Sequence, residues 1–116
     1  MSVLDQEQFD FISIHKEGYV VLSISDHLEW DEEGEHLFML QSKINNYLDG
    51  IESGQLVTQY PDAEGKQILI QIIAKFRPNK KGYEFLRLAN KTLQSAGYRM
   101  NIGFINNGEL EIEEIE

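Results

Sequence analysis

The feature of this sequence that most constrains its fold is an apolar run in its second half. The apolar residues of this run are Ile68, Leu69, Ile70, Ile72 and Ile73. A short run of β-branched residues with turn-forming residues on both sides is typical of a strand that is buried on both faces. Pro78 ends the run, because proline cannot continue a central strand. Residues 67–76 therefore predict the central strand of a sheet.

The rest of the chain predicts further strands and two helices. Val20, Leu22 and Ile24 alternate with the residues between them, which is the period of a strand. Apolar residues three and four positions apart between 37 and 51 form the stripe of an amphipathic helix. In chain order, the predicted elements are strands 9–15 and 19–25, a helix 32–53, strands 55–60 and 67–76, a helix from 80 or 81 to 96, a strand 98–105 and an alternating segment 109–113.

This order, ββαββαβ with one more strand if the tail joins the sheet, predicts an α+β fold. Strand–helix–strand connections cross over right-handed, so both helices should lie on one face of a mixed, mostly antiparallel sheet in a two-layer sandwich. The length of 116 residues suits a single domain, 1–116, with 106–116 as an acidic tail or a last edge strand. Apolar residues on both faces of the predicted strands indicate that a partner, most simply a second copy, covers the other face.

Charge and composition exclude several classes of protein. Twenty acidic and ten basic residues give a net charge of −10, which repels phosphate backbones and argues against nucleic-acid binding. No apolar run approaches the roughly 18 residues of a membrane span. Residues 1–7 lack the basic start and the apolar core of a signal peptide. Cysteine is absent, which excludes disulfides and thiolate ligands. We expect a cytoplasmic protein that does not contact membranes.

The chemically richest stretch is 25–36, which holds six acidic residues, two histidines and the only tryptophan. In an extended segment His27 and Glu29 point the same way, and Glu32 and His36 share one helix face at i, i+4. Two imidazoles and two carboxylates suit zinc or a similar ion. The alternative is a solvated helix start, whose acids the helix dipole favours. No established ligand spacing is matched, so we expect neither a metal nor another cofactor.

The basic residues form a second candidate site. Seven of the ten lie between positions 75 and 99, where Glu84 is the only acid, so that segment carries a charge of +6. Arg77, Lys80 and Lys81 stand at a predicted helix N-terminus, where the helix dipole disfavours cations. One interpretation is a phosphate or carboxylate site that also uses free backbone N–H groups. The other, which we prefer, is ion pairing with the acidic tail or with the 25–36 stretch, within the chain or across a dimer.

Six segments between residues 9 and 100 are distinctive. They are Phe11-Ile12-Ser13-Ile14, Ile24-Ser25-Asp26-His27-Leu28-Glu29-Trp30, Leu40-Gln41-Ser42-Lys43-Ile44-Asn45-Asn46-Tyr47-Leu48, Ile51-Glu52-Ser53-Gly54, Tyr60-Pro61-Asp62-Ala63 and Ala74-Lys75-Phe76-Arg77-Pro78-Asn79. In these segments the chain resembles a bacterial family of small acidic proteins that is described as a domain of unknown function. The resemblance implies a bacterial cytoplasmic protein. It supplies no activity and no catalytic residues.

Together these features favour a non-enzymatic protein-interaction domain. A basic partner would fit the charge, and a role in neutralising a toxin, as an immunity protein does, is one concrete version. The alternative is a small metal- or anion-binding enzyme or ligand domain that uses residues 26–36. A third hypothesis is a structural homodimer in which the +6 segment meets the acidic stretch of the other copy. The residues predicted to bind are Asp26, His27, Glu29, Trp30, Asp31, Arg77, Lys80 and Lys81.

Overall fold

The structure is a computed structural model, and it describes residues 11–30 and 34–115. Five strands, three α-helices and a single 3-10 turn follow one another in these residues. They are β1 (Phe11–Ile14), β2 (Val20–Asp26), α1 (Glu35–Glu52), α2 (Gln55–Gln59), the 3-10 turn (Pro61–Ala63), β3 (Ile68–Ala74), α3 (Lys80–Ser95), β4 (Arg99–Asn106) and β5 (Glu109–Glu114). No helix of the described residues has the length and apolarity to cross a bilayer.

The five strands form one mixed sheet in which the spatial order equals the chain order, β1-β2-β3-β4-β5. β2, β3 and β4 are parallel to one another, and β1 and β5 pair antiparallel at the two edges. This confirms the predicted α+β fold with a mixed sheet. Parallel and antiparallel pairings are equal in number, although mostly antiparallel pairing was expected.

The core lies between the helices and one face of the sheet. Alternate side chains of the parallel strands face the helices, and all of them are buried. From β2 these are Val20, Leu22 and Ile24, from β3 Ile68, Ile70 and Ile72, and from β4 Met100, Ile102 and Phe104. Leu40, Ile44 and Tyr47 of α1 and Leu86 and Leu93 of α3 complete the core. Both long helices therefore cover the same face, as right-handed crossovers require.

The prediction of a strand at 55–60 is wrong, because these residues begin a short second helix. Gly54 has φ of 86°, a left-handed conformation that lets the chain leave α1 and enter α2 at once. Thr58 then donates from Oγ1 to the Gly54 carbonyl at 3.0 Å. Leu56 is buried in the core. Five residues are too few to show a helical period, and the β-branched Val57 and Thr58 favour a strand by composition.

The acidic tail forms β5, which turns back and pairs antiparallel with β4. Asn107 and Gly108 connect the two strands with φ of 52° and 82°, as a two-residue hairpin turn with two left-handed positions requires. After β5, the Ile115 carbonyl accepts a hydrogen bond of 2.8 Å from Asn90 Nδ2 on α3, and the Ile115 side chain packs against the core. The end of the tail is therefore attached to the helix layer.

Candidate functional site

The stretch that the sequence marks as the first candidate site contains a buried, hydrogen-bonded pair of ionisable side chains. Asp26 is the last residue of β2 and His36 lies in the first turn of α1, and the two side chains meet with Nε2 at 2.5 Å from Oδ2. Asp26 is 1% exposed and His36 is 3% exposed. The other carboxylate oxygen, Oδ1, accepts the Leu28 N–H at 3.2 Å. The pair thus closes the connection between β2 and α1.

The hydrogen bonds of His36 leave neither ring nitrogen available. Nδ1 lies 3.0 Å from the carbonyl oxygen of Glu29, which only accepts, so Nδ1 must carry a hydrogen. Nε2 faces the Asp26 carboxyl, and one further proton lies between these two groups. A histidine that binds a metal or accepts a proton needs a free nitrogen lone pair. This arrangement therefore suits a clamp that holds a loop in place.

Trp30 connects this clamp to the next strand–helix connection. Its ring lies 3.9 Å from the His36 ring between centroids, and its Nε1 donates to the Phe76 carbonyl at 3.3 Å. The indole also packs on Gly82 of α3, where an added Cβ would lie 2.8 Å from Cζ3. Trp30 thereby joins the loop after β2 to the loop after β3 at the carboxyl ends of the parallel strands.

The remaining residues of the predicted metal set do not join His36. His27 and Glu29 are exposed side chains on the loop, while Glu32 and Asp31 lie outside the described residues. Within residues 11–30 and 34–115 no group of three or more His, Asp or Glu side chains could hold a metal ion.

Residues at the start of α3 have two structural roles: one caps the helix and another forms an ion pair. Asn79 caps the helix by accepting the Gly82 N–H at 2.8 Å. Lys80 and Lys81 are exposed. Arg77 pairs with Glu113 of β5 and lies over the Phe104 ring at 4.5 Å. Its hydrogen bond to Glu113 raises the pKa of Arg77 above its ordinary value. This is an ion pair with the acidic tail within the chain, one of the alternatives predicted.

On the helix-free face of the sheet, β4 and β5 carry an exposed apolar patch, which we define as Ile105, Leu110 and Ile112. Ile105 stands opposite Leu110 and Gly103 opposite Ile112 in the β4–β5 register. Their exposures are 58%, 40% and 51%. Gly103 lies beneath the Leu110 side chain, because a Cβ added at position 103 would lie only 2.7 Å from Leu110 Cδ1.

The surroundings of the apolar patch differ in charge on its two sides. Along β5 lie the exposed carboxylates of Glu109, Glu111 and Glu114, which we call the acidic border. Glu114 shares the face of the patch, whereas Glu109 and Glu111 project from the helix-covered face of the strand. On the β3 side, Ile105 and Lys75 line a shallow cavity of about 180 Å³. On its own face the patch thus has Glu114 toward the edge of the sheet and Lys75 toward its centre.

A row of polar side chains crosses the same face beside the apolar patch. Ser23, Gln71 and Asn101 stand next to one another on β2, β3 and β4, and all three are buried. Asn101 Oδ1 has no hydrogen-bond partner among the described residues. The sequence gives one signal for this row, since Gln71 is the polar residue that interrupts the apolar run of β3.

The comparisons with known proteins identify a family. Residues 1–106 match the model of a family of unknown function, DUF6572. The chain is a member of DUF6572. This confirms the predicted resemblance to a family of unknown function, while the bacterial and acidic character of that family stays a prediction. No curated protein and no solved structure matches the chain.

In this DUF6572 chain the family match covers β1 to β4 and ends before β5 begins. The Asp26–His36 clamp and Trp30 therefore lie inside the matched region. Leu110 and Ile112 of the apolar patch, and the whole acidic border, lie beyond it. The buried clamp can hold loops together, whereas the exposed patch and border can contact another molecule.

Proposed function

We propose that this DUF6572 chain is a non-enzymatic protein-interaction domain that binds a basic partner through the apolar patch and the acidic border. The observation that carries the proposal is the exposure of Ile105, Leu110 and Ile112 on the face that also holds Glu114, while Glu109 and Glu111 project from the opposite face of the same strand. Adjacent exposed apolar side chains with a polar rim are typical of protein-binding surfaces. Because the acidic border is negatively charged, it favours a positively charged partner.

The side chains of the patch and the acidic border contribute modest energies, which suit a transient complex. Each side chain of the patch is about half exposed, so its burial would contribute roughly 1 kcal/mol. The acidic border would add modest energy at each contact but would accelerate the encounter with a basic protein. The net charge of −10 acts in the same direction at long range.

A non-enzymatic role is supported by the use of the Asp26–His36 pair within the fold. Asp26 accepts a hydrogen bond from the loop that the pair closes, and His36 donates one to it. Both side chains are buried and hydrogen-bonded to each other. Neutralisation of a basic toxin remains the most concrete version of the proposal, and it draws on charge and size. The ligand-domain alternative built on residues 26–36 stays a prediction.

A synthetic peptide that alternates lysine and valine provides a defined probe of this surface. We expect the labelled peptide to bind the chain in fluorescence anisotropy, and Leu110→Thr with Ile112→Thr to weaken binding about tenfold, which is about 1.4 kcal/mol. Threonine keeps the branching that suits a strand. Phe38→Gln with Leu88→Gln is the matched control, since these helix residues are 68% and 66% exposed and lie away from the patch.

Three outcomes would contradict the proposal. One is equal weakening by the patch variant and by the helix control, which would indicate nonspecific apolar binding. Another is equal binding of a peptide that alternates lysine and serine, because charge alone would then explain the complex. Failure of the lysine–valine peptide to bind would also overturn it.

A further inference from the structure

We infer that the basic partner binds by adding an extended strand to the outer edge of β5. The inference rests on the proposed function and specifies the partner as a segment that alternates basic and apolar residues. Addition of a strand to a sheet edge combines backbone hydrogen bonds with side-chain pairs on both faces.

The outer edge of β5 provides the backbone groups that such a partner needs. Within residues 11–30 and 34–115, β5 pairs with β4 alone and forms the end of the sheet. In an edge strand, alternate residues direct their N–H and C=O groups away from the neighbouring strand. Half of the six residues of β5 therefore present these groups to an incoming strand.

The side chains of β5 alternate in a way that fixes the composition of the added strand. Glu113 stands opposite Ile102, whose side chain faces the core, so Glu109, Glu111 and Glu113 project on the helix-covered side of the sheet. Leu110 and Ile112 project on the helix-free side. Opposite charges and apolar pairs on adjacent strands are each stabilising. The partner strand should therefore place basic residues on the helix-covered side and apolar residues over the patch.

Charge also decides against a second copy at this edge. Two β5 strands would bring glutamates opposite glutamates, which is destabilising. The other sheet edge, β1, has the sequence Phe-Ile-Ser-Ile and carries no charge that could pair with the acidic border. A basic segment from another protein is the occupant that complements β5.

The edge is held in position before any partner arrives. Arg77 pairs with Glu113, Tyr83 Oη donates to the same carboxylate at 3.5 Å, and Asn90 holds the Ile115 carbonyl. These contacts fix the C-terminal end of β5 against α3. A preordered edge lowers the entropy cost of adding a strand. Because Arg77 engages Glu113, the cations of the partner are expected along the part of β5 that precedes Glu113.

Amide hydrogen exchange measured by NMR tests the mode of binding directly. With the alternating lysine–valine peptide in excess, we expect alternate amides of β5 to become protected, while the exposed edge amides of β1 do not change. Glu109→Gln with Glu111→Gln should weaken the peptide about tenfold. Glu52→Gln with Glu64→Gln, two exposed acids elsewhere, is the matched control.

Backbone methylation of the probe separates strand addition from simple patch binding. In an alternating peptide all valine N–H groups point to one edge and all lysine N–H groups to the other. We therefore expect one N-methylated peptide, methylated either at its valines or at its lysines, to lose binding while the other keeps it.

The results distinguish failure of this inference from failure of the proposed function. If the Leu110 and Ile112 substitutions weaken the peptide but β5 amides gain no protection and both methylated peptides bind, strand addition is wrong and the binding surface stands. If the patch substitutions have no effect, both are wrong.

Discussion

Asp26 and His36 are ten positions apart in the chain, yet Oδ2 and Nε2 are 2.5 Å apart at the junction of β2 and α1. The bond is buried, so removal of either side chain leaves the facing atom of the other, Oδ2 or Nε2, without this hydrogen bond. Removal of one member of a buried charged pair is far more costly than loss of an exposed ion pair.

We expect Asp26→Ala and His36→Ala each to reduce the free energy of unfolding by about 3 kcal/mol. The cause is the same in both variants, an unpaired polar group in a buried site. Urea denaturation followed by circular dichroism measures the change. The double variant should lose much less than the sum of the single losses. Additive losses would show that the two side chains do not depend on each other.

Gly82→Ala should destabilise the chain although alanine favours helices. The added Cβ would lie 2.8 Å from the Trp30 ring and 2.9 Å from Pro78 Cβ. Overpacking costs about 1–3 kcal/mol, which exceeds the helix gain of roughly 1 kcal/mol. Thermal unfolding measures the net loss. In a Trp30→Leu background the loss should be smaller, and an equal loss there would exclude the indole as its cause.

Tyr47→Phe tests a buried hydrogen bond between α1 and the sheet. Tyr47 Oη donates to the Ser23 carbonyl at 2.8 Å, and the side chain is almost fully buried. Loss of this bond should cost about 1 kcal/mol in urea unfolding, with no change in the apolar packing. Tyr60→Phe, at a half-buried tyrosine, is the matched control. Equal values for the two variants would argue against a role of the Ser23 contact.

Asn101→Leu should stabilise the chain. Asn101 is buried, and its Oδ1 has no hydrogen-bond partner among the described residues. Replacing an unsatisfied polar group by an apolar one of similar size removes its desolvation cost, a gain of about 1 kcal/mol. Asn101→Asp should instead destabilise, because it buries a charge. A destabilised leucine variant in chemical denaturation would show that the amide makes a necessary contact.

The layers of the fold were predictable because they depend on local periodicity. The alternation of Val20, Leu22 and Ile24 and the stripe through Leu40 and Ile44 are properties of short windows, and both appear as predicted. The Asp26–His36 pair was not predicted, because it depends on the path of the loop between them. A signal was nevertheless present. Asp26 continues the core-facing alternation of β2, and His36 lies four residues before Leu40 on the buried stripe of α1.

The surface on β5 was only half predictable. The alternation of glutamate with Leu110 and Ile112 predicts an edge strand, and the strand is present. The identity of its neighbour and the position of Gly103 beneath Leu110 depend on the register across the hairpin. A periodic pattern states which residues share a face, but it does not state what lies opposite them.

The identity of chain order and sheet order has a consequence for biosynthesis. Each strand of this sheet pairs with the strand made just before it, so no strand must wait for a later segment to find its neighbour. The sheet can grow in one direction while the chain leaves the ribosome, because the neighbour of each new strand has already been made. Of the described strands β5 emerges last, so the nascent sheet ends at β4 until residues 109–114 have left the ribosome.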